Sequence, residues 1–233
     1  IHENGLAEDL ANSFLIIAGK SEKAVAALRE AQDLAWHYSV ERHPAFATAK
    51  RFYLEGGEVR TARDHVTQQP APQVPVTHSI DDGPYLNGNL WWLGLVKVLN
   101  TPGWSATDVC NWARPWIDAI CREADLGPAV SLSLDKAVPG ALFDWTPLNC
   151  MEVAPGELAF FDKEWKLESD LTLSYVILRG LFGSLASVSS CAPPAEGTPL
   201  EILELLREAL RMQSIGITDD HVEKYIAQES SVQ

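Results

Sequence analysis

The sequence predicts an α+β fold in two parts, a small α/β part over residues 1–83 and a mostly helical part over 84–233. Three observations carry this. Strand-like apolar runs and a two-glycine hairpin fall in the first part. Long segments with helical periodicity fill the second. One further hairpin, within residues 142–165, lies among those helices.

Residues 6–10 close a short helix, and the apolar run 13–18 reads as a strand ended by Gly19. Ser21 is a suitable N-cap for a helix that carries Val25, Leu28, Ala31 and Ala35 and reaches Trp36 or Tyr38. His43-Pro44 breaks it. Residues 46–54 and 58–63 flank Gly56-Gly57, the pattern of a β-hairpin with a two-residue turn. Lys50, Arg51, Arg60 and Arg63 on that hairpin read as a solvated face, with phosphate contact as the less favoured alternative. Residues 66–75 form an exposed linker rich in Gln and Pro.

A short extended segment, 85–90, leads into an apolar helix over 91–99. Ser105 caps a second helix that runs to Glu123, with Val109, Trp112, Trp116, Ile117, Ile120 and Cys121 on one broad face. Pro115 predicts a kink or an interruption inside it. Trp91, Trp92, Trp104, Trp112 and Trp116 read as core or as an interface between the two parts. An exposed sugar-stacking surface is the minority reading of these five. Residues 125–139 connect to the central hairpin. After Trp165, the apolar residues from Leu167 to Leu178 continue helically to Phe182. Thr198, Pro199 and Glu201 start the next helix as N-cap, first helical residue and capping-box acid. A last helix spans 219–227, and the Ser-Ser-Val-Gln end frays.

Composition bounds the function. Apolar residues make up 46% and charged residues 21%, ordinary for a folded chain of 233 residues with a useful core. A net charge of −14 argues against general nucleic-acid binding, because a phosphate backbone is repelled. No apolar run has the length that a membrane span needs. Cys110, Cys121, Cys150 and Cys191 are widely spaced and form no C-x-x-C, so they read as reduced, mostly buried thiols of a cytoplasmic protein rather than zinc ligands. The first residue is Ile and no signal-peptide pattern precedes the first helix, which predicts a piece cut from a longer protein.

The chemistry-bearing stretch is LFDWTPLNCMEVAPGELAFFDKEW, residues 142–165. Asp144 and Asn149 flank a short loop containing Pro147. Pairing Val153 with Leu158 places Cys150 opposite Phe161 and Asn149 opposite Asp162. An amide oxygen and a carboxylate then converge at the open end of a hairpin. Hard cations such as Mg²⁺ take oxygen ligands of this kind together with substrate phosphates. The bland alternative is a buried hairpin whose Asp and Asn cap turns.

Asp144-Trp145-Thr146-Pro147-Leu148-Asn149, the hairpin, and Asp162 resemble the catalytic segment of kinase-like phosphotransferases of the aminoglycoside phosphotransferase type. That resemblance implies a protein-kinase-like two-lobe architecture with a reduced N-lobe. It implies Asp144 as catalytic base toward the hydroxyl of a glycan or small molecule, with Asn149 and Asp162 as ligands of the Mg²⁺ that accompanies ATP. The segment 85–90 would be the hinge. The lysine that meets the phosphates would be Lys20, with Glu22 or Glu30 as partner, or Lys50; the sequence does not choose. Three features depart from the family. No G-x-G-x-x-G is present, Leu142-Phe143 replaces the His-Gly or His-Arg before the catalytic Asp, and Lys163-Glu164 replaces the Phe-Gly or similar pair after the metal-binding Asp.

Residues 10–18 and 42–48, with Phe161-Asp162-Lys163-Glu164-Trp165, further resemble the C-terminal region of bacterial surface-polysaccharide proteins. Those carry a class I methyltransferase or a glycosyltransferase ahead of this region. S-adenosylmethionine is implied only if such a domain precedes Ile1, in which case residues 14–18 would be its last strand. The leading expectation is therefore a Mg²⁺-nucleotide-dependent phosphotransferase module beside a transferase domain. The alternative is a non-catalytic kinase-like scaffold, favoured by the missing Gly-rich loop, the undecided lysine and the replaced His-Gly. A glycan-binding domain built on the tryptophans is the third.

Overall fold

The structure, a computed structural model, describes residues 20–23, 33–80, 85–127 and 133–232. The expected helix at 6–10 and strand at 13–18 lie outside these, as does most of the helix expected after Ser21. The fold is α+β, as predicted: small antiparallel sheets with five α-helices among the described residues.

The first sheet has the order β1-β2-β3 (Asp33–Ser39, Thr48–Glu55, Glu58–His65), antiparallel throughout. The Gly56-Gly57 hairpin is present as expected. Both glycines have positive φ, 61° and 87°, which matches the twist of a two-residue hairpin turn. The end of the helix expected at Trp36 or Tyr38 is instead strand β1, paired with β2 from Asp33↔Tyr53 to Ser39↔Thr48. Leu34, Trp36 and Tyr38 recur every second residue, a strand period that the Val25–Ala35 helical count had overridden.

Hairpin register sorts the four cations. Lys50 lies opposite Arg63, whereas Arg51 lies opposite Ala62 and Tyr53 opposite Arg60. Side chains alternate faces along a strand, so Lys50 and Arg63 share one face and Arg51 and Arg60 the other. Arg51 pairs with Asp33, and Arg60 with Glu55 and Glu58, on the outside. Only half of this hairpin is the solvated face that the sequence suggested.

Residues 66–75 are irregular and largely exposed, as expected of a linker. Strand β4 (Val76–His78) then pairs with β9 (Trp165–Leu167). Strand β5 (Asn89–Leu90) pairs with β7 (Cys150–Ala154), which pairs in turn with β8 (Glu157–Phe160). Gly88 makes the β5–β7 approach possible, because a Cβ there would collide with the Glu152 carbonyl oxygen. Gly88→Ala is expected to cost about 1–3 kcal/mol, checked by urea unfolding.

Helices α1 (Trp91–Leu99) and α2 (Ala106–Glu123) follow the sequence reading. Ser105 and Asp108 form the capping box of α2. The helix runs through Pro115 without interruption, because Trp112, Trp116, Ile117 and Ile120 bury its inner face on both sides of the proline. Trp104, Trp112 and Trp116 are buried, and Trp91 and Trp92 pack against the same core. The indole N–H groups of Trp104, Trp112 and Trp116 have acceptors, Ala192 O at 2.8 Å, Trp91 O at 3.0 Å and Trp145 O at 3.0 Å respectively, whereas the buried Trp91 N–H has none among the described residues. These five form no exposed sugar-stacking platform. Cys110, Cys121 and Cys150 are buried and Cys191 is exposed.

Two helix starts differ from expectation. Residues 165–172 contain β9 and β10 (Leu171–Thr172), the latter paired with β6 (Ala137–Val138). Helix α3 (Leu173–Ala186) begins only where the Thr172 hydroxyl accepts the Tyr175 N–H. Leu167 and Leu171 are core residues contributed by strands, and a helical pattern cannot be told from such a buried strand by apolarity alone. Helix α4 (Ile202–Arg211) uses Glu201 itself as N-cap, accepting from Glu204 N at 2.8 Å, so Thr198 and Pro199 precede it. Helix α5 (Asp219–Val232) continues through Ser230, Ser231 and Val232, which were expected to fray, and Gln233 lies outside the described residues. Glu229 on α5 accepts from Tyr175 Oη at 2.8 Å and pairs with Arg179 at 2.5 Å, which ties the C-terminal helix to α3.

Candidate functional site

The site begins with the β7–β8 hairpin. Its two-residue turn, Pro155-Gly156, closes on Ala154↔Glu157, with Gly156 at φ 76°. The register then slips at Val153, so that Glu152 faces Leu158 and Cys150 faces Phe160. The expected pairing of Cys150 with Phe161 is therefore wrong by one residue, because Val153 is an extra residue in a β-bulge. Beyond the pairing, Phe161 N donates to Asn149 O at 3.0 Å. Asp162 follows in the left-handed region at φ 50° and turns the chain toward β9.

The predicted residues divide. Lys50 and Asp162, 112 positions apart, meet at 2.9 Å and line one cleft of about 280 Å³. Arg63, Ser79, Lys163 and Glu164 also line it. Lys20 is exposed and does not line the cleft. Asp144 does not line it either: it is only 8% exposed, beneath the 164–165 backbone. Its Oδ2 accepts Glu164 N at 3.1 Å and Trp165 N at 3.3 Å. Burial pushes the Asp144 pKa up to about 6, with the nearby Glu164 charge adding to the rise and the two backbone N–H groups and Arg179 opposing it. Asn149 directs its Nδ2 to the Asp144 carbonyl oxygen at 3.0 Å and is likewise not a lining residue.

Asp162 has two cationic partners. Lys50 Nζ and the Arg63 guanidinium both donate to Oδ1. Burial works to raise its pKa, but Lys50 and Arg63 outweigh burial and hold the carboxyl below the ordinary aspartate range. The neighbouring Glu164 is tied more deeply. Arg42 donates to its Oε1 at 2.8 Å, and Arg63 donates to its Oε2 at 2.7 Å. His78 Nε2 stands 3.2 Å from the same Oε2. Burial lowers the His78 pKa against the opposing pull of Glu164. A neutral imidazole bonded to an acceptor-only carboxylate carries its proton on Nε2.

A divalent cation was expected at Asn149 and Asp162. The donors do not fit one as arranged. Asp162 Oδ1 already accepts from two cations, which oppose a third positive charge at the same oxygen. The Asn149 amide donates to a carbonyl outside the cleft lining. Among the described residues no group of three His, Cys, Asp or Glu side chains is placed to hold a metal.

Sequence reasoning missed Glu164, Arg42 and His78, and it left Arg63 on the solvated face. One signal was available. A two-residue turn at 56–57 fixes Lys50 opposite Arg63, so a cleft lysine implies a cleft arginine. No local pattern marks Arg42 or His78, because their partner Glu164 is 122 and 86 positions away.

The fold and the cleft define an α+β protein in which two cations of an antiparallel sheet meet two acids of the segment after a β-hairpin. Among the described residues no helix is long and apolar enough to cross a membrane. The chain matches no family model, no curated protein and no solved structure.

Proposed function

We propose that the chain is a non-catalytic interaction module on a kinase-like scaffold, accompanying a neighbouring methyltransferase or glycosyltransferase domain. The observation that carries this reading is the Asp144 carboxylate. It spends its Oδ2 on the backbone N–H groups of Glu164 and Trp165, away from the cleft. A general base must reach the proton it abstracts. Asp144 acts instead as a tie that fixes where Glu164 starts, and Glu164 in turn orients Arg42 and Arg63. The glycan-modifying setting comes from the sequence resemblance alone.

The test is nucleotide turnover. Incubation with ATP or GTP, Mg²⁺ and hydroxyl-bearing glycans is expected to release or transfer no phosphate above a protein-free blank. Mg²⁺-dependent transfer that disappears in Asp144→Asn would overturn the reading.

Retained phosphotransfer is the second reading, and one observation favours it: Lys50 and Asp162 converge on a single cleft from distant parts of the chain. In that reading Asp144 orients the acceptor hydroxyl, while Asn149 and Asp162 hold Mg²⁺ against the phosphates of ATP. It requires Asp162 to leave both of its cations and Asp144 to leave both backbone N–H groups.

A further inference from the structure

We infer that the cleft is a metal-independent site for a phosphate-class dianion, and that the Asp162 carboxylate is the stand-in anion occupying it. The inference goes beyond the scaffold reading, which assigns no ligand.

Five observations converge on it. Lys50 and Arg63 sit opposite one another on paired strands and aim at the same carboxylate oxygen. An ammonium beside a guanidinium is the donor set that recognises phosphate, the arginine contributing its planar fork and the lysine a point charge. Asp162 holds its place in the left-handed region, at φ 50°, which is unfavourable for a residue with a Cβ. Its side chain is 36% exposed, so it can swing outward, whereas the Arg63 side chain is 8% exposed and fixed. Glu164, held from three sides, keeps Arg63 oriented when Asp162 departs. Finally, the Ser79 hydroxyl is buried without a hydrogen-bond partner and lines the same cleft. A hydroxyl left in that state costs free energy unless something accepts from it.

Charge and size narrow the ligand. The lining carries Lys50, Arg63 and Lys163 against Asp162 and Glu164, a surplus of one positive charge in a chain of net −14. With Asp162 swung out the surplus rises to two, which matches a phosphate monoester dianion. About 280 Å³ lies just below the usual range of ligand pockets, which begins at roughly 300 Å³. The cleft therefore takes a phosphate group on a small body.

The experiment is calorimetric titration of inorganic phosphate, with EDTA present, into the parent chain, Asp162→Asn and Asp162→Gly. Glycine suits the positive φ at this position and so keeps the backbone course. Circular dichroism confirms that each variant is folded. Both variants are expected to bind phosphate about tenfold more tightly than the parent, as removal of one internal competitor requires. Adding Lys50→Met to Asp162→Asn is expected to abolish the gain. Equal or weaker phosphate affinity in both Asp162 variants overturns the inference, as does binding that appears only with Mg²⁺. Neither result depends on whether phosphate is ever transferred, so failure here and failure of the scaffold reading are separate outcomes.

Discussion

Glu164→Ala is expected to lower the unfolding free energy by about 3–5 kcal/mol, the cost of removing one partner from a buried ion pair. The side chain accepts from Arg42 and Arg63 and contacts His78, and both Arg63 and Glu164 are under a tenth exposed. Truncation takes from Arg63 one of its two carboxylate partners, Glu164 and Asp162, and from Arg42 the carboxylate it donates to. Glu164→Gln separates charge from shape. It keeps one acceptor oxygen for a guanidinium and is expected to cost less than the alanine variant. Urea unfolding monitored by tryptophan fluorescence gives both values. A loss below about 1 kcal/mol in Glu164→Ala would mean that water screens this cluster as it does a surface pair.

Asp144 supplies the second large effect, and its sign depends on pH. Asp144→Ala strips the acceptor from two backbone N–H groups, at about 1–3 kcal/mol each. Asp144→Asn keeps an acceptor oxygen but cannot ionise. Burial raises the folded pKa from 3.8 to about 6, so the native state binds more protons than the unfolded chain between those values. The contribution of this group is thus fully present below pH 4 and is lost as pH rises through 6. A rise of that size corresponds to about 3 kcal/mol at neutral pH. The stability of Asp144→Asn relative to the parent is therefore expected to increase by up to that amount between pH 4 and pH 7. Asp162 titrates in the opposite sense, since its carboxyl is held low and its contribution is lost as pH falls. Both proteins retain Asp162, so it cancels in the difference. Denaturant midpoints at the two pH values check the prediction, and a difference that does not change with pH would refute it.

Much of the scaffold could be read locally. Gly56-Gly57 announced the β2–β3 hairpin, and Ser105 announced the start of α2. In each case the signal is a short-range steric or capping preference that acts within a few residues. What misled was apolar patterning without such punctuation. Trp36 and Tyr38 became strand because β2 offered an edge, and Leu167 and Leu171 became core strands because β4 and β6 offered theirs.

The candidate site was legible only in outline. Lys50 and Asp162 were picked out as chemistry-bearing residues, and the structure brings them together. Asp144, picked out with them, faces the backbone, because the one-residue bulge at Val153 and the left-handed Asp162 set how the following segment lies over it. By itself the sequence determined the α+β class, the two hairpins, the helices α1 and α2, and the charge of the chain. Only the tertiary structure decided that Asp162 belongs to Lys50 and Arg63, and Glu164 to Arg42, Arg63 and His78. The reason is physical: those pairings join groups 86 to 122 positions apart, and such contacts are fixed by sheet register and core packing, which no local window of sequence contains.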